Sequence, residues 1–319
     1  MSRPVGCHVS LAGGLARAVG RALERGGDAL QTFSSNPRGW ALPAVDGARG
    51  RGGVPRSEED AAGRAALRTQ SLPLFLHAPY LVNLASPDPV TLSRSVESTA
   101  FALERAARVG ATGVVVHAGH AVGAVRPEAI ERMAQSLAGL LALGDGVDLL
   151  LELTAGGRGA LACCPEEAAE LLDAVGGHPR LRVCIDTCHL WAAGIDLASE
   201  DGRAELAAGL DALGPGRVAL VHVNDSADAL GSRRDRHRNL GRGTIPPDAL
   251  APLLALPALA GAVLVTETPG TAEEQAADVA AVRRAATRPV PPPGGRRRRS
   301  VPGPRLVPVP RAGRGPEGG

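Results

Sequence analysis

Short, nearly continuous apolar runs recur along the chain at residues 4–8, 30–33, 72–77, 113–117, 149–153, 183–186, 218–223 and 262–267. Each is rich in Leu or β-branched residues, the pattern of strands buried on both faces of a parallel sheet. Between them, residues 14–25, 57–69, 89–109, 126–143, 165–175, 200–213, 247–256 and 271–286 carry apolar residues at helical spacing, often after a Ser, Thr or Pro start. Eight strands alternating with eight helices predict an α/β fold, a (β/α)8 TIM barrel. Two segments break the rhythm. Residues 41–56 are rich in Gly, Pro and Arg and read as a loop after the second strand. Residues 288–319, with a Pro run at 291–293 and four consecutive Arg at 296–299, read as a disordered Pro/Arg/Gly-rich tail. The expected organisation is one barrel domain, 1–287, followed by that tail, 288–319.

Composition narrows the class. The 319 residues are 44% hydrophobic, enough for a full core, and only 2% aromatic, so that core must be Ala, Leu and Val. No apolar run reaches the roughly 20 residues of a membrane span, and the N-terminus lacks a secretory pattern. Five Cys at no framework spacing argue against a disulfide scaffold and for a reducing compartment, with the Cys residues filling ordinary small positions. All the basic side chains are Arg. The tail from Arg288 holds eight Arg and one Glu, a net +7, so the remainder carries −5 against a whole-chain +2. The tail reads as a solvated extension; its rival reading is a sequence-independent grip on phosphates.

The apolar runs end in polar residues of one kind: His77, His117, Glu152-Leu-Thr, Asp186-Thr-Cys-His189, His222-Val-Asn-Asp225 and Glu267-Thr. In a barrel these ends share the C-terminal rim, where active sites lie. One such residue is ordinarily structural. Six together, three of them carboxylates, would repel unless cations neutralise them. His189 lies one helical turn beyond Asp186 and can reach a different ion. Asp235-Arg-His237 carries little weight alone, but it falls in the loop after the seventh strand, over the same mouth. Nine His and carboxylate side chains suit Zn or Mn better than Ca or Mg, and exceed the needs of one ion. Two or three ions around an anion-sized space point to phosphoester hydrolysis.

The same residues resemble the endonuclease IV family of abasic-site endonucleases. The resemblance runs in order over roughly residues 5–286. It rests on Gly6-Cys-His-Val-Ser10, Asn36-Pro-Arg-Gly-Trp40, His77-Ala-Pro-Tyr-Leu-Val-Asn-Leu84, Val183-Cys-Ile-Asp-Thr-Cys-His189 and Gly231-Ser-Arg-Arg-Asp-Arg-His237, with the strand ends above. It implies a trinuclear zinc site. His77, His117 and Glu152 would hold the first ion. Glu152, as bridge and central catalytic carboxylate, would join Asp186, His222 and Glu267 on the second. His189, Asp235 and His237 would hold the third, with Mn2+ accepted at one position. It further implies a hydrolase; the expected protein is a monomer, and the missing targeting signals and the need to reach chromosomal DNA point to a cytoplasmic, nucleoid-associated location. Its substrate would be double-stranded DNA containing abasic sites, cut 5′ to the lesion to leave a 3′-hydroxyl, with removal of 3′-blocking groups by the same chemistry. Arg38, Tyr80 and Leu81 stand where the family pushes side chains into the base stack; the plain alternative for Tyr80 is a core or rim aromatic.

Three departures carry expectations. His117-Ala-Gly-His120 replaces the usual His-Pro-Gly opening and predicts an altered loop. Leu153 stands where a polar residue is common and predicts a lost supporting hydrogen bond. The divergent 41–56 segment leaves the DNA contacts of that loop unassigned. The rival function is a divalent-metal sugar isomerase or epimerase on a related barrel, for which a third metal group is superfluous. A metal-free DNA-binding module is disfavoured because every ligand position is filled.

Overall fold

The computed structural model of the chain describes residues 3–42, 56–143 and 146–288. Most of the predicted 41–56 loop, and all of the predicted tail beyond Arg288, lie outside the described residues. The strands are β1 (Val5–His8), β2 (Leu30–Phe33), β3 (Leu74–His77), β4 (Gly113–His117), β5 (Asp148–Glu152), β6 (Leu181–Asp186), β7 (Val218–His222), β8 (Asp225–Ser226), β9 (His237–Arg238) and β10 (Val263–Thr266). Eight of them close a parallel barrel in the order β1-β10-β7-β6-β5-β4-β3-β2, while β8 and β9 pair antiparallel by themselves. The helices are α1 (Leu15–Glu24), α2 (Arg56–Gln70), α3 (Pro89–Val109), α4 (Arg126–Leu143), α5 (Pro165–Ala174), α6 (Thr187–Ala193), α7 (Glu200–Ala212), α8 (Leu250–Leu254) and α9 (Ala272–Thr287). The helix expected over 247–256 splits into a 3-10 turn, Pro247–Ala249, and the short α8. The turn anticipated after Asp186 is a helix in its own right, α6.

Local chemistry sets the helix limits. Asp88 caps α3 by accepting from Thr91 N–H, with Pro89 at the first helical position, and Gly110 ends it in the left-handed region at φ 76°. Thr271 and Glu274 form a reciprocal capping box at α9.

The core has two parts. A large cluster of Ala, Leu and Val fills the layer between strands and helices. A separate small cluster, including Phe75, Val115, Leu150, Cys184, Leu220 and Val265, plugs the barrel itself. Side chains in a strand alternate faces, so two residues beyond each plug residue the next inward position follows. Those positions are His77, His117, Glu152, Asp186, His222 and Glu267. The plug and the polar mouth are thus successive layers of one barrel. At the closure, Gly6 lets β1 approach β2: a Cβ there would lie 1.8 Å from the carbonyl oxygen of Ala29.

That contact gives a test of opposite signs. Gly6→Ala must move backbone and should lower unfolding stability by at least about 2 kcal/mol in urea titrations. Gly20→Ala, in α1 with nothing within 4 Å of the new methyl, should raise it by about 0.5–1 kcal/mol. A Gly6→Ala protein as stable as the parent would contradict the closure described here.

Candidate metal centre at the barrel mouth

The strand register sets the ligand-bearing residues side by side. His117 is paired with Glu152 across β4 and β5, and Asp186 with His222 across β6 and β7. Glu152 is buried at the centre. Its Oε2 lies 3.0 Å from His77 Nε2 and 3.4 Å from His117 Nε2. Its Oε1 lies 3.0 Å from His222 Nδ1 and 3.3 Å from His189 Nδ1. Asp186 is both the last residue of β6 and the N-cap of α6. Its Oδ1 accepts from the N–H groups of Cys188 and His189 at 2.6 and 3.2 Å. The cap fixes the carboxylate, and Oδ2 is left facing His237 Nε2 at 3.4 Å. One helical turn on, His189 faces Asp235, its Nε2 3.2 Å from Oδ1.

The β8–β9 pairing folds the loop between them back on itself, with Ser226 opposite His237. Asp235 and His237 reach the mouth this way, their Oδ1 and Nε2 3.1 Å apart. All nine sequence-predicted ligands therefore converge. Potential ligand atoms within 4.8 Å of one another form the groups His77–His117–Glu152, Glu152–Asp186–His222–Glu267, Asp186–His189–His237 and Cys188–Asp235–His237. The first two reproduce the sets implied by the resemblance. In the third region Asp186 and Cys188 also come within range of the predicted His189, Asp235 and His237.

Supporting bonds determine which nitrogen each ring offers. His77 Nδ1–H donates to Ala78 O at 2.6 Å, and His189 Nδ1–H donates to Leu153 O at 2.8 Å, which turns each Nε2 toward the mouth. At the Leu153 departure the backbone carbonyl makes this bond, while the side chain packs in the apolar layer and itself supports no ligand. Sequence reasoning missed three residues. Asn224 donates to Asp186 Oδ2 at 2.7 Å and accepts from Glu267 N–H at 2.7 Å. His8 Nδ1 lies 3.1 Å from Glu267 Oε1. Gln31 Nε2–H donates to the same oxygen at 2.6 Å. His8 ends the first apolar run as the six selected residues end theirs, and Gln31, with Thr32, interrupts the second. Asp225, beside the site, is structural: it accepts backbone N–H groups from Ser226, Gly241, Gly243 and Ile245.

The mouth opens into a cavity of about 570 Å³ lined by His77, His117, Glu152, His189, His237 and Glu267, among others. Tyr80 stands at its edge, 55% exposed, and Leu81 is 39% exposed, so neither is a core residue. Tyr80 N–H donates to Pro37 O at 3.1 Å, joining its loop to the one that carries the exposed Arg38. The loop after β4 is tied at His120, whose backbone N–H and C=O both bond the Asn83 side chain.

Burial works against ionisation of Glu152, but His222, His117 and hydrogen bonds from His222 and His77 hold its carboxyl well below the usual range. Burial likewise opposes charging of His189, yet Asp186, Asp235 and Glu152 push its pKa well above the ordinary value. His237, also opposed by burial, is raised to about 9 by Asp186, Asp235 and Glu267. The donors fit divalent cations by an independent sign. The buried Nε2 atoms of His189 and His237 have no hydrogen-bond partner, although both lie near Asp235 Oδ1. Ring nitrogens aimed at one carboxylate oxygen without hydrogen-bond alignment suit a shared ion.

A family model described as a xylose isomerase-like TIM barrel matches residues 20–286. The probable endonuclease 4 of Streptomyces avermitilis is 42% identical over 288 residues, covering 88% of this chain and 89% of the relative. That of Streptomyces coelicolor is 43% identical over 288 residues, covering 88% and 94%. The solved endonuclease IV from Thermus thermophilus aligns with a TM-score of 0.73 at 37% identity, covering 88% of this chain and 97% of that one. A D-tagatose 3-epimerase-like protein aligns at TM-score 0.65 and 18% identity, a likeness of fold alone. Barrel and mouth together define a metal-capable xylose isomerase-like TIM barrel enzyme. Within that class the chain belongs to the endonuclease IV family, and with it to the nucleases.

The raised imidazoles give a pH dependence for the ion-free protein. Their pairing with carboxylates stabilises the fold fully below the unfolded value of about 6.5 and is lost as pH rises through the folded value, about 9 for His237. Melting of chelator-treated protein should therefore fall between pH 6.5 and 9, and less so in His237→Gln. Cations must displace those protons, so their affinity should rise across the same window. A flat melting profile in both proteins would contradict this electrostatic account.

Proposed function

We propose that the protein is a zinc-dependent DNA-repair endonuclease that hydrolyses the phosphodiester 5′ to an abasic site, leaves a 3′-hydroxyl, and clears 3′-blocking groups by the same chemistry. The observation that carries this reading is the convergence of nine His and carboxylate side chains at one barrel mouth, seven of them lining its cavity and Glu152 common to two of the groups.

His77, His117 and Glu152 would hold one ion. Glu152, Asp186, His222 and Glu267 would hold a second, and His189, Asp235 and His237 a third, with zinc favoured by the imidazole–carboxylate donor set and Mn2+ accepted at one position. Divalent ions so held supply Lewis acidity toward a phosphoryl oxygen and lower the pKa of water to about 7. The side chains do the rest. Glu152, Asp186, Asp235 and Glu267 carry −4, so three dications leave the mouth at +2, a sign suited to a phosphodiester. Asp186, locked by its cap, and the anchored rings of His77 and His189 keep the donors from swinging with the substrate.

Tyr80, Leu81 and Arg38 form an exposed set at the rim that suits insertion into a duplex. An abasic nucleotide has no base to unstack and is the cheapest to extrude, which supports selectivity for that lesion. The partner is double-stranded DNA, bound by a monomer in the cytoplasm at the nucleoid. No described helix is long and apolar enough to cross a membrane.

A labelled duplex with one abasic analogue should be cut immediately 5′ to it, leaving a 3′-hydroxyl. Glu152→Ala should cut at least about a hundredfold more slowly, since it removes a ligand common to two groups, while Cys163→Ala should stay within about twofold of the parent. No cleavage at the lesion by metal-loaded parent protein would overturn the reading. Parent-rate cleavage by Glu152→Ala would remove its assigned role.

A further inference from the structure

We infer that Gln31 is a positioning residue of the metal centre: its carboxamide decides which nitrogen of His222 faces the cations and holds Glu267 so that its second oxygen faces the same point. This rests on the metal-centre reading above. Gln31 occupies an inward position of β2, one that in most barrel strands is filled by an apolar plug residue, and it is fully buried. Both ends of its amide are engaged. Oε1 lies 2.9 Å from His222 Nε2. Nε2 lies 2.6 Å from Glu267 Oε1 and 3.0 Å from His8 Nδ1.

That pattern leaves one orientation of the amide. Turned over, its carbonyl oxygen would face a carboxylate oxygen at 2.6 Å, acceptor against acceptor. With the NH2 end on Glu267, the carbonyl must receive a proton from His222, so His222 carries its hydrogen on Nε2. Once cations displace the proton that Nδ1 shares with Glu152, Nδ1 is the nitrogen that offers a lone pair. It lies 3.0 Å from Glu152 Oε1 and 3.3 Å from Glu267 Oε2, at the centre of the second ligand group.

His77 and His189 have their tautomers set by backbone carbonyls, those of Ala78 and Leu153. For His222 the same duty falls to a side chain, and that side chain also binds Glu267. One neutral amide thereby orients two ligands of one ion without adding charge to a cluster that already holds four carboxylates. A carboxylate at this position would repel Glu267, and an alkyl chain would leave the His222 N–H unpaired and Glu267 Oε1 with His8 alone.

Nitrogen-15 NMR of the zinc-loaded parent should show His222 with its proton on Nε2, slowly exchanging, and Nδ1 bound to metal. Coordination through Nε2 would overturn the inference without any variant. In chelator titrations, Gln31→Leu should release one of its ions at a roughly 10- to 100-fold lower chelator concentration than the parent. The others should be released as in the parent. Gln31→Met, closer in shape, should behave the same way if Gln31→Leu does not fold. Parent-like retention of every ion in a folded variant, or equal loss of all of them, would refute the role of Gln31. A parent that binds no zinc would instead refute the metal-centre reading on which it rests.

Discussion

Four carboxylates and six imidazoles share the barrel mouth at separations of 3 to 4 Å, and most of them are withdrawn from water. Acids this close repel, and each buried charge loses hydration. Without ions the conflict is settled by protons: His189 and His237 are held charged, and Glu152 stays ionised beside His222, His117 and His77. Divalent cations settle it differently, by replacing the protons and turning a net negative mouth positive. The helix cap at Asp186, the anchored rings of His77 and His189, and the Asn224 bridge between Asp186 and Glu267 all keep the groups in place for that exchange.

The fold makes the arrangement possible through a simple periodicity. Inward positions recur every second residue, so an apolar plug at Phe75, Val115, Leu150, Cys184, Leu220 and Val265 is followed on each strand by a ligand position. The sequence shows this directly, because each run breaks its apolarity at its last inward residue. Eight strands, their order and six of the ligands could therefore be read without coordinates. Asp235 and His237 are placed near the mouth by their loop and by the resemblance, since the two-residue pairing of Ser226 with His237 that folds them inward has no strong pattern of its own. Gln31 and Asn224 were not recognised as part of the site, because a neutral amide near an apolar run has no signature until its partners are known. Those partners come from strands far apart in the chain: Gln31 meets His222 and Glu267 only because the barrel closes.

The barrel alone does not select a chemistry, as its likeness to an epimerase-like protein illustrates. What separates this chain is the third group, assembled from α6 and the β8–β9 loop, together with the exposed Tyr80 and Leu81 on a loop bonded to that of Arg38. A proton transfer on a sugar needs neither. Cleavage within a duplex benefits from both: one adds charge where a phosphate must sit, and the other offers apolar surface where a base pair must be disturbed. Membership of the endonuclease IV family agrees with that division of labour.

Anomalous diffraction at the zinc absorption edge, on crystals of metal-replete protein, addresses the central claim most directly. The account calls for three peaks per chain inside the mouth, with Glu152 in contact with two of them. A single peak, or peaks lying away from these nine side chains, would contradict it.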